Sequence, residues 1–133
     1  METIKKFFQE NDKLAQHLGI ELLEVGKGTA KAKMEIKECH LNGVKTVHGG
    51  AIFSLADFVF AVASNSHGNI AMAINVSISY LKAATEGTLY AEAEEVSINP
   101  KLGSYRINII NQDNDLIAVF QGMVYRKKDS LQV

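Results

Sequence analysis

Apolar and polar positions repeat along this chain with two distinct periods. Ile4, Phe7, Phe8, Leu14, Ala15 and Leu18 recur at helical spacing with charged residues between them, which predicts an amphipathic helix over residues 1–18. Residues 20–25 and 29–36 then form two runs able to pair, joined through Gly26-Lys27-Gly28, a glycine-bearing connection of hairpin type. Polar residues 37–46, with Asn42-Gly43 among them, predict a loop. Further on, Met72, Ile74, Val76, Ile78 and Tyr80 alternate with Ala73, Asn75, Ser77 and Ser79, the period of two that a strand requires. Turns at Thr85-Glu86-Gly87, around the only proline at 99–103, and at 111–115 divide the remainder into strands over 89–98, 104–110 and 116–126. From residue 70 onward the chain therefore reads as a meander.

Between these patterns lies a segment with neither. Wound as a helix, residues 49–66 are apolar on every side, with Asp57 the only ionisable group. Such a helix must be covered all round. It is barely long enough to cross a bilayer, and a mid-span Asp flanked by Gly, Ser and Asn argues for a core helix instead. Helices and strands segregate along the chain, as in an α+β domain. One antiparallel sheet covers only one side of the apolar helix, and a second copy of the chain is the simplest cover for the other.

Size and composition narrow the class. A chain of 133 residues fits one domain, here 1–133. With 47% hydrophobic and 22% charged residues it has the make-up of a globular protein. A formal charge of -1 gives no general field for polyanions, so nucleic acid is an unexpected partner. Residues 1–18 lack the apolar stretch and small-residue cleavage site of a secretory signal, and the single cysteine, Cys39, excludes an intrachain disulfide. A cytoplasmic protein is expected.

Two features carry candidate chemistry. Val47-His48-Gly49-Gly50 falls where the loop enters the apolar helix, so the glycine N–H groups lie among the unpaired donors of a helix N-terminus. Such donors stabilise negative charge, and glycine lets a carbonyl approach the backbone closely, as an oxyanion hole requires. The plainer alternative is a helix start whose small residues serve packing. Asp57 is the second feature. A lone carboxylate in an apolar helix costs roughly several kcal/mol unless paired or solvated, and its neighbours at three and four positions, Phe53, Ser54, Phe60 and Ala61, offer no cation. Burial should raise its pKa toward the range useful to a general base. The plainer alternative is a buried Asp bonded to backbone. Asp57 lies about 12 Å along the helix axis from Gly49, too far for the two to meet one substrate atom. Two copies packed antiparallel across a two-fold axis would bring the Asp of one to the helix N-terminus of the other.

Asn42-Gly43, His48-Gly49-Gly50, Phe53-Ser54-Leu55-Ala56-Asp57, Ile78-Ser79-Tyr80-Leu81 and Gly87 together resemble the signature of PaaI-type hotdog thioesterases, over roughly Gly19 to Arg126. The resemblance implies a long antiparallel sheet wrapped around the 49–66 helix, dimers that pair into homotetramers, and hydrolysis of an acyl-CoA thioester to acid and CoA. It implies that Gly49 supplies the oxyanion-hole N–H and that His48 and Asn42 orient the carbonyl or the attacking water. Asp57 of the partner chain would then act as base or nucleophile. Gly50, Phe53 and Ser54 would border the substrate, and CoA would lie near Tyr80, Asn99-Pro100-Lys101 and the basic run containing Lys127. Lys101 and Lys127 meet phosphates as point charges in that picture, or are ordinary solvated lysines. Two positions depart from the pattern: Ala83 stands where many relatives have proline, and Ala73 where some use Ser or Thr to assist the site.

Other candidates weigh less. Cys39 and His40 are adjacent, which points them to opposite faces in extended chain, and are assigned no catalysis. His17, His40, His48 and His67 show no metal-ligand spacing, so neither a metal nor another cofactor is expected. The signature Asp-x-Asn-Pro-x-His of hotdog hydratases is absent. The remaining rival is a non-catalytic acyl-CoA binder or sensor, against which Asp57 stands as a carboxylate a pure binder does not need.

Overall fold

In the computed structural model, which describes residues 1–133, six antiparallel strands form one sheet that packs on a single long helix. The chain begins with α1 (Glu2–Asn11) and α2 (Lys13–Leu18), continues through β1 (Ile20–Gly26) and β2 (Thr29–Glu35), and passes a short 3-10 turn (Glu38–His40). The long helix α3 (Gly49–Asn65) follows, then β3 (Asn69–Tyr80), β4 (Thr88–Ile98), β5 (Leu102–Asn111) and β6 (Leu116–Ser130). This is the expected α+β hotdog arrangement. No helix is long and apolar enough to cross a membrane.

The amphipathic segment 1–18 is two helices rather than the one predicted. Asp12 breaks it: its backbone turns extended, its N–H closes α1 on the Phe8 carbonyl, and its side chain opens α2 by accepting from the Ala15 N–H. A residue that caps the following helix competes with continuation of the preceding one. Gly19, in the left-handed conformation at φ 76°, then ends α2.

The second half is not a simple meander either. The sheet order is β1-β2-β4-β5-β6-β3, so only β4, β5 and β6 follow one another, and β3 lies beyond β6 at the edge. Strand β6 runs four residues past the predicted end at 126, which lets it match the full length of β3 from Tyr80↔Ala118 to Asn69↔Ser130. The alternation in β3 does not translate into alternating burial: Met72 and Ile74 are both exposed. An edge strand has an unpaired flank, and the register slips between Ala73 and Asn75.

The inner face of the sheet meets α3 through alternating residues such as Ala32 and Met34, Leu89 and Ala91, and Ile107 and Ile109, all fully buried. Glycine at 122 is needed for this contact, since a Cβ there would come within 2.6 Å of the Phe60 ring. Cover of α3 is incomplete in the single chain. Ala51, Ile52, Leu55, Ala56 and Phe58 to Val59 are buried, but Gly50, Phe53, Ser54, Asp57 and Ala61 form a less buried stripe along the helix.

Candidate functional site

The N-terminus of α3 is held by two residues outside the helix, His48 and Tyr80. His48 is the N-cap, and its ring Nδ1 accepts from the Gly50 N–H at 2.9 Å. In the neutral ring that bond puts the proton on Nε2, which remains free to donate from an exposed position. The Ala51 and Ile52 N–H groups turn back to the His48 carbonyl. The Gly49 N–H is left with no partner inside the chain. Tyr80, the last residue of β3, donates its hydroxyl to the Gly49 carbonyl at 2.9 Å. Its ring lies 3.2 Å from where a Cβ on Gly49 would sit, so the glycine admits Tyr80 to the helix end.

Asn42 is held in the loop before α3. Its Oδ1 accepts from the Val44 and Thr46 N–H groups and its Nδ2 donates to the Thr46 hydroxyl. With its side chain engaged in this way, Asn42 shapes the loop whose return at Val47 pairs with Leu41 and leads into His48. His40 anchors the same loop from below. It is fully buried, its Nδ1 accepts from the Lys37 N–H and its Nε2 donates to the Leu18 carbonyl.

Asp57 lies two turns further along α3, about 12 Å from Gly49. Its side chain is half-buried and takes part in no hydrogen bond or ion pair of the chain. Burial pushes its carboxyl pKa up, and the charge of Asp12 pushes it further the same way. Ser54, one turn before it, donates to the Gly50 carbonyl, and Phe53 packs edge-on against Phe120 with ring centroids 5.4 Å apart. Gly50, Phe53, Ser54 and Asp57 therefore share one open stripe, while Gly49, His48 and Tyr80 gather at its N-terminal end.

The remaining expected residues assemble at the opposite end of the sheet. Asn99 builds the β4–β5 turn, its Oδ1 accepting from the Lys101 and Leu102 N–H groups. Arg126 clamps the same turn by donating from its guanidinium to the Asn99 carbonyl and from its backbone N–H to the Lys101 carbonyl. Asn99, Pro100, Arg126, Lys127, Lys128 and His67 border an open cleft of about 560 Å³. Lys101 sits on this turn without lining the cleft. Tyr80 is separate from it, at the α3 N-terminus.

A part-buried cluster lies outside the residues that the sequence singles out. One carboxylate oxygen of Glu95 accepts from the Tyr105 hydroxyl at 2.6 Å and from His67 Nε2 at 2.7 Å. Desolvation pushes the Glu95 pKa up, but those two bonds and the fields of His67 and Arg126 outweigh it and leave it lowered. Desolvation, with Glu95 second, pushes the Tyr105 hydroxyl well up. The cluster joins the C-terminal end of α3 to β4 and β5, and its signal was present in the chain: the period of two in β4 puts Glu95 on the inner face with Ala91 and Ala93.

A family model described as Thioesterase superfamily matches residues 44–118, from the loop before His48 to β6. A putative esterase of Archaeoglobus fulgidus is 50% identical over 127 residues, covering 95% of this chain and 82% of its own. The acyl-coenzyme A thioesterase PaaI of Escherichia coli is 39% identical over 118 residues, covering 88% of this chain and 84% of its own. The structure of the Escherichia coli PaaI protein from the phenylacetic acid degradation operon superposes with a TM-score of 0.92 at 36% identity, covering 96% of this chain and 93% of that one.

Proposed function

Because the chain belongs to the thioesterase superfamily, as a PaaI-type member with the hotdog fold, we propose that it hydrolyses acyl-CoA thioesters to a free acid and CoA in a site shared between two subunits. A thioester hydrolase needs an ionised group to act on the carbonyl carbon and a donor fixed where the oxyanion develops. Asp57 meets the first need and the free Gly49 N–H the second. The observation that carries this reading is their separation: two unpartnered groups of the right chemistry stand about 12 Å apart on one helix, too far to meet one substrate atom.

A second copy closes the gap. Strand β3 is a twelve-residue edge with no charged residue, and natural sheets normally guard such edges with charge, proline or cover. Antiparallel pairing of β3 with its copy joins the two six-stranded sheets and lays the two open α3 stripes against each other. Since Tyr80 ties Gly49 to the end of β3, the same pairing carries Gly49 of the partner subunit back along α3 toward Asp57. Exposed Val96, Ile98, Leu102, Met123 and Tyr125 supply an apolar patch through which two dimers associate as a tetramer.

In this site the carbonyl oxygen takes up charge beside the partner subunit's Gly49, with His48 Nε2 as a second donor and Asn42 holding the loop that presents it. Asp57 either removes a proton from water whose oxygen bonds to the carbon, or bonds to that carbon itself to give an anhydride that water then opens. In both routes the C–S bond breaks and the thiol of CoA leaves with a proton. The cleft of Asn99, Pro100 and Lys127, with Lys101 nearby, takes the phosphates of CoA. The free thiol of Cys39, the only cysteine, suits the reducing cytoplasm.

The test is release of free thiol from short, medium, long and aromatic acyl-CoAs by the wild type and by Asp57→Asn. Turnover by the wild type, with a loss of about two to four orders of magnitude in the variant, is expected. Saturable acyl-CoA binding without thiol release would replace hydrolysis with a binding role.

A further inference from the structure

Asp57 is not the only carboxylate at its position. Asp12 stands at the kink between α1 and α2, fixed twice over: its backbone N–H donates to the Phe8 carbonyl at 3.1 Å and its Oδ1 accepts from the Ala15 N–H at 3.0 Å. A small cavity of about 30 Å³ separates this kink from α3, bounded by Asp12, Ala15 and Ile20 on one side and by Ser54, Asp57 and Phe58 on the other. Neither carboxylate has a cation: the ion pairs of the chain involve Glu10, Glu21, Glu92, Glu95 and Asp115.

The other elements packed on α3 leave Asp57 to Asp12. Strand β2 offers Ala30, Ala32 and Met34, α1 offers Ile4 and Phe8, β6 offers Phe120 and Val124, and β3 has no charged residue; on α2, Lys13 turns to the Glu10 carbonyl and His17 is exposed, and on β1, Glu21 pairs with Lys33 and Glu24 is exposed. The ionisable groups on the inner side of β4 and β5, Glu95 and Tyr105, bond each other and His67 at the far end of α3. His40 has both ring nitrogens engaged. Among the charged groups of its own subunit, the one whose field reaches Asp57 is Asp12.

We infer that Asp12 is a positioning residue for the reaction: held at the α1–α2 kink, it faces Asp57 across the cavity, opposes the charge there, and makes the ionised Asp57 the stronger base. Two like charges across a partly buried gap repel more than they would in bulk water. The N-terminal helices thereby set the pH range in which Asp57 works. The inference rests on the assignment of Asp57 to catalysis, but the electrostatic link itself does not.

Asp12→Asn separates the two, because asparagine caps a helix about as well as aspartate while removing the charge, and Asp12→Ser serves as a second neutral cap should the first fail to fold. Two readouts apply: the pH profile of kcat/KM and the titration of the Asp57 carboxyl by carbon NMR in the intact protein. In the variants the acid limb is expected to move to lower pH, so that the rate at pH 5 rises roughly two- to fivefold relative to the alkaline plateau, and the Asp57 titration moves with it. An unchanged profile and an unchanged titration, with Asp57→Asn inactive, would overturn the inference alone. A fully active Asp57→Asn would remove the catalytic assignment, and the NMR titration, which needs no turnover, would still decide whether Asp12 acts on Asp57.

Discussion

The hydroxyl of Tyr80 donates to the carbonyl oxygen of Gly49 across 2.9 Å, tying the last residue of the edge strand β3 to the first residue of α3. The strand that we propose joins two subunits and the helix end that we propose holds the oxyanion are thus one mechanical unit. Tyr80→Phe removes the bond and little else, since Tyr80 is 50% exposed. A net hydrogen bond is worth about 1 kcal/mol, so kcat/KM should fall by up to roughly fivefold and Tm by no more than about 4 °C. Steady-state kinetics beside thermal denaturation checks both halves.

Asp57→Asn should make the protein more stable as it makes it inactive. The Asp57 pKa is raised, by burial first and Asp12 second. A carboxyl raised in the folded state contributes stability below its unfolded value and loses it as pH climbs through the folded one. At pH 7 the ionised form is therefore a net cost, which asparagine removes. Tm should rise at pH 7 and change less at pH 4, with each kcal/mol relieved worth about 4 °C in a chain of this size. Calorimetry at the two pH values measures it.

Glu95 has the opposite sign. Desolvation alone would raise its carboxyl, but bonding to Tyr105 and His67 leaves it lowered, so it contributes stability above the unfolded value that is lost as pH falls through the lowered one. The side chain is only 21% exposed. Glu95→Gln should cost roughly 1.5–3 kcal/mol at pH 7, the worth of hydrogen bonds to a charged group, and progressively less in acid. Urea titrations across that range test it.

At the cleft of Asn99 and Pro100, exposed lysines act on charge alone. Lys127→Ala should raise KM for an acyl-CoA by about fivefold or less, as one screened charge allows, and leave KM for the matching pantetheine thioester unchanged. Kinetics on the paired substrates at two salt concentrations separates the phosphate contact from a general effect.

Much of this architecture is written locally. The helix 49–66 is delimited to within a residue because its run of small and apolar residues begins after His48 and ends in Ser66, and the hairpin glycines separate β1 from β2. The place of β3 was not legible, since its pairing with β6 joins residues some fifty positions apart and nothing in the alternation of 70–80 says which neighbour it takes. Asp12 hid inside an amphipathic pattern that continues on both sides of it. Asp57 and the Gly49 amide were legible as chemistry because each is anomalous where it stands. The ring of His48 and the side chain of Asn42 were legible only as residue types, and their bonds to Gly50 and to the 42–46 loop depend on geometry that spacing does not fix.

The shared site is tested most directly by mixing two inactive variants. Gly49→Pro removes the N–H at the first helical position, where the backbone suits proline and so does the extended ψ of 135° at His48; its Cβ, 3.2 Å from the Tyr80 ring, displaces that side chain only in the subunit that carries the proline. Asp57→Asn removes the carboxylate. Refolded together in equal amounts, half of the dimers pair one of each, and every such dimer contains one site with both groups intact, so about a quarter of the wild-type thiol release should return. If the mixture stays as inactive as its components while mixed dimers are present by mass spectrometry, Asp57 and Gly49 do not work across the subunit boundary.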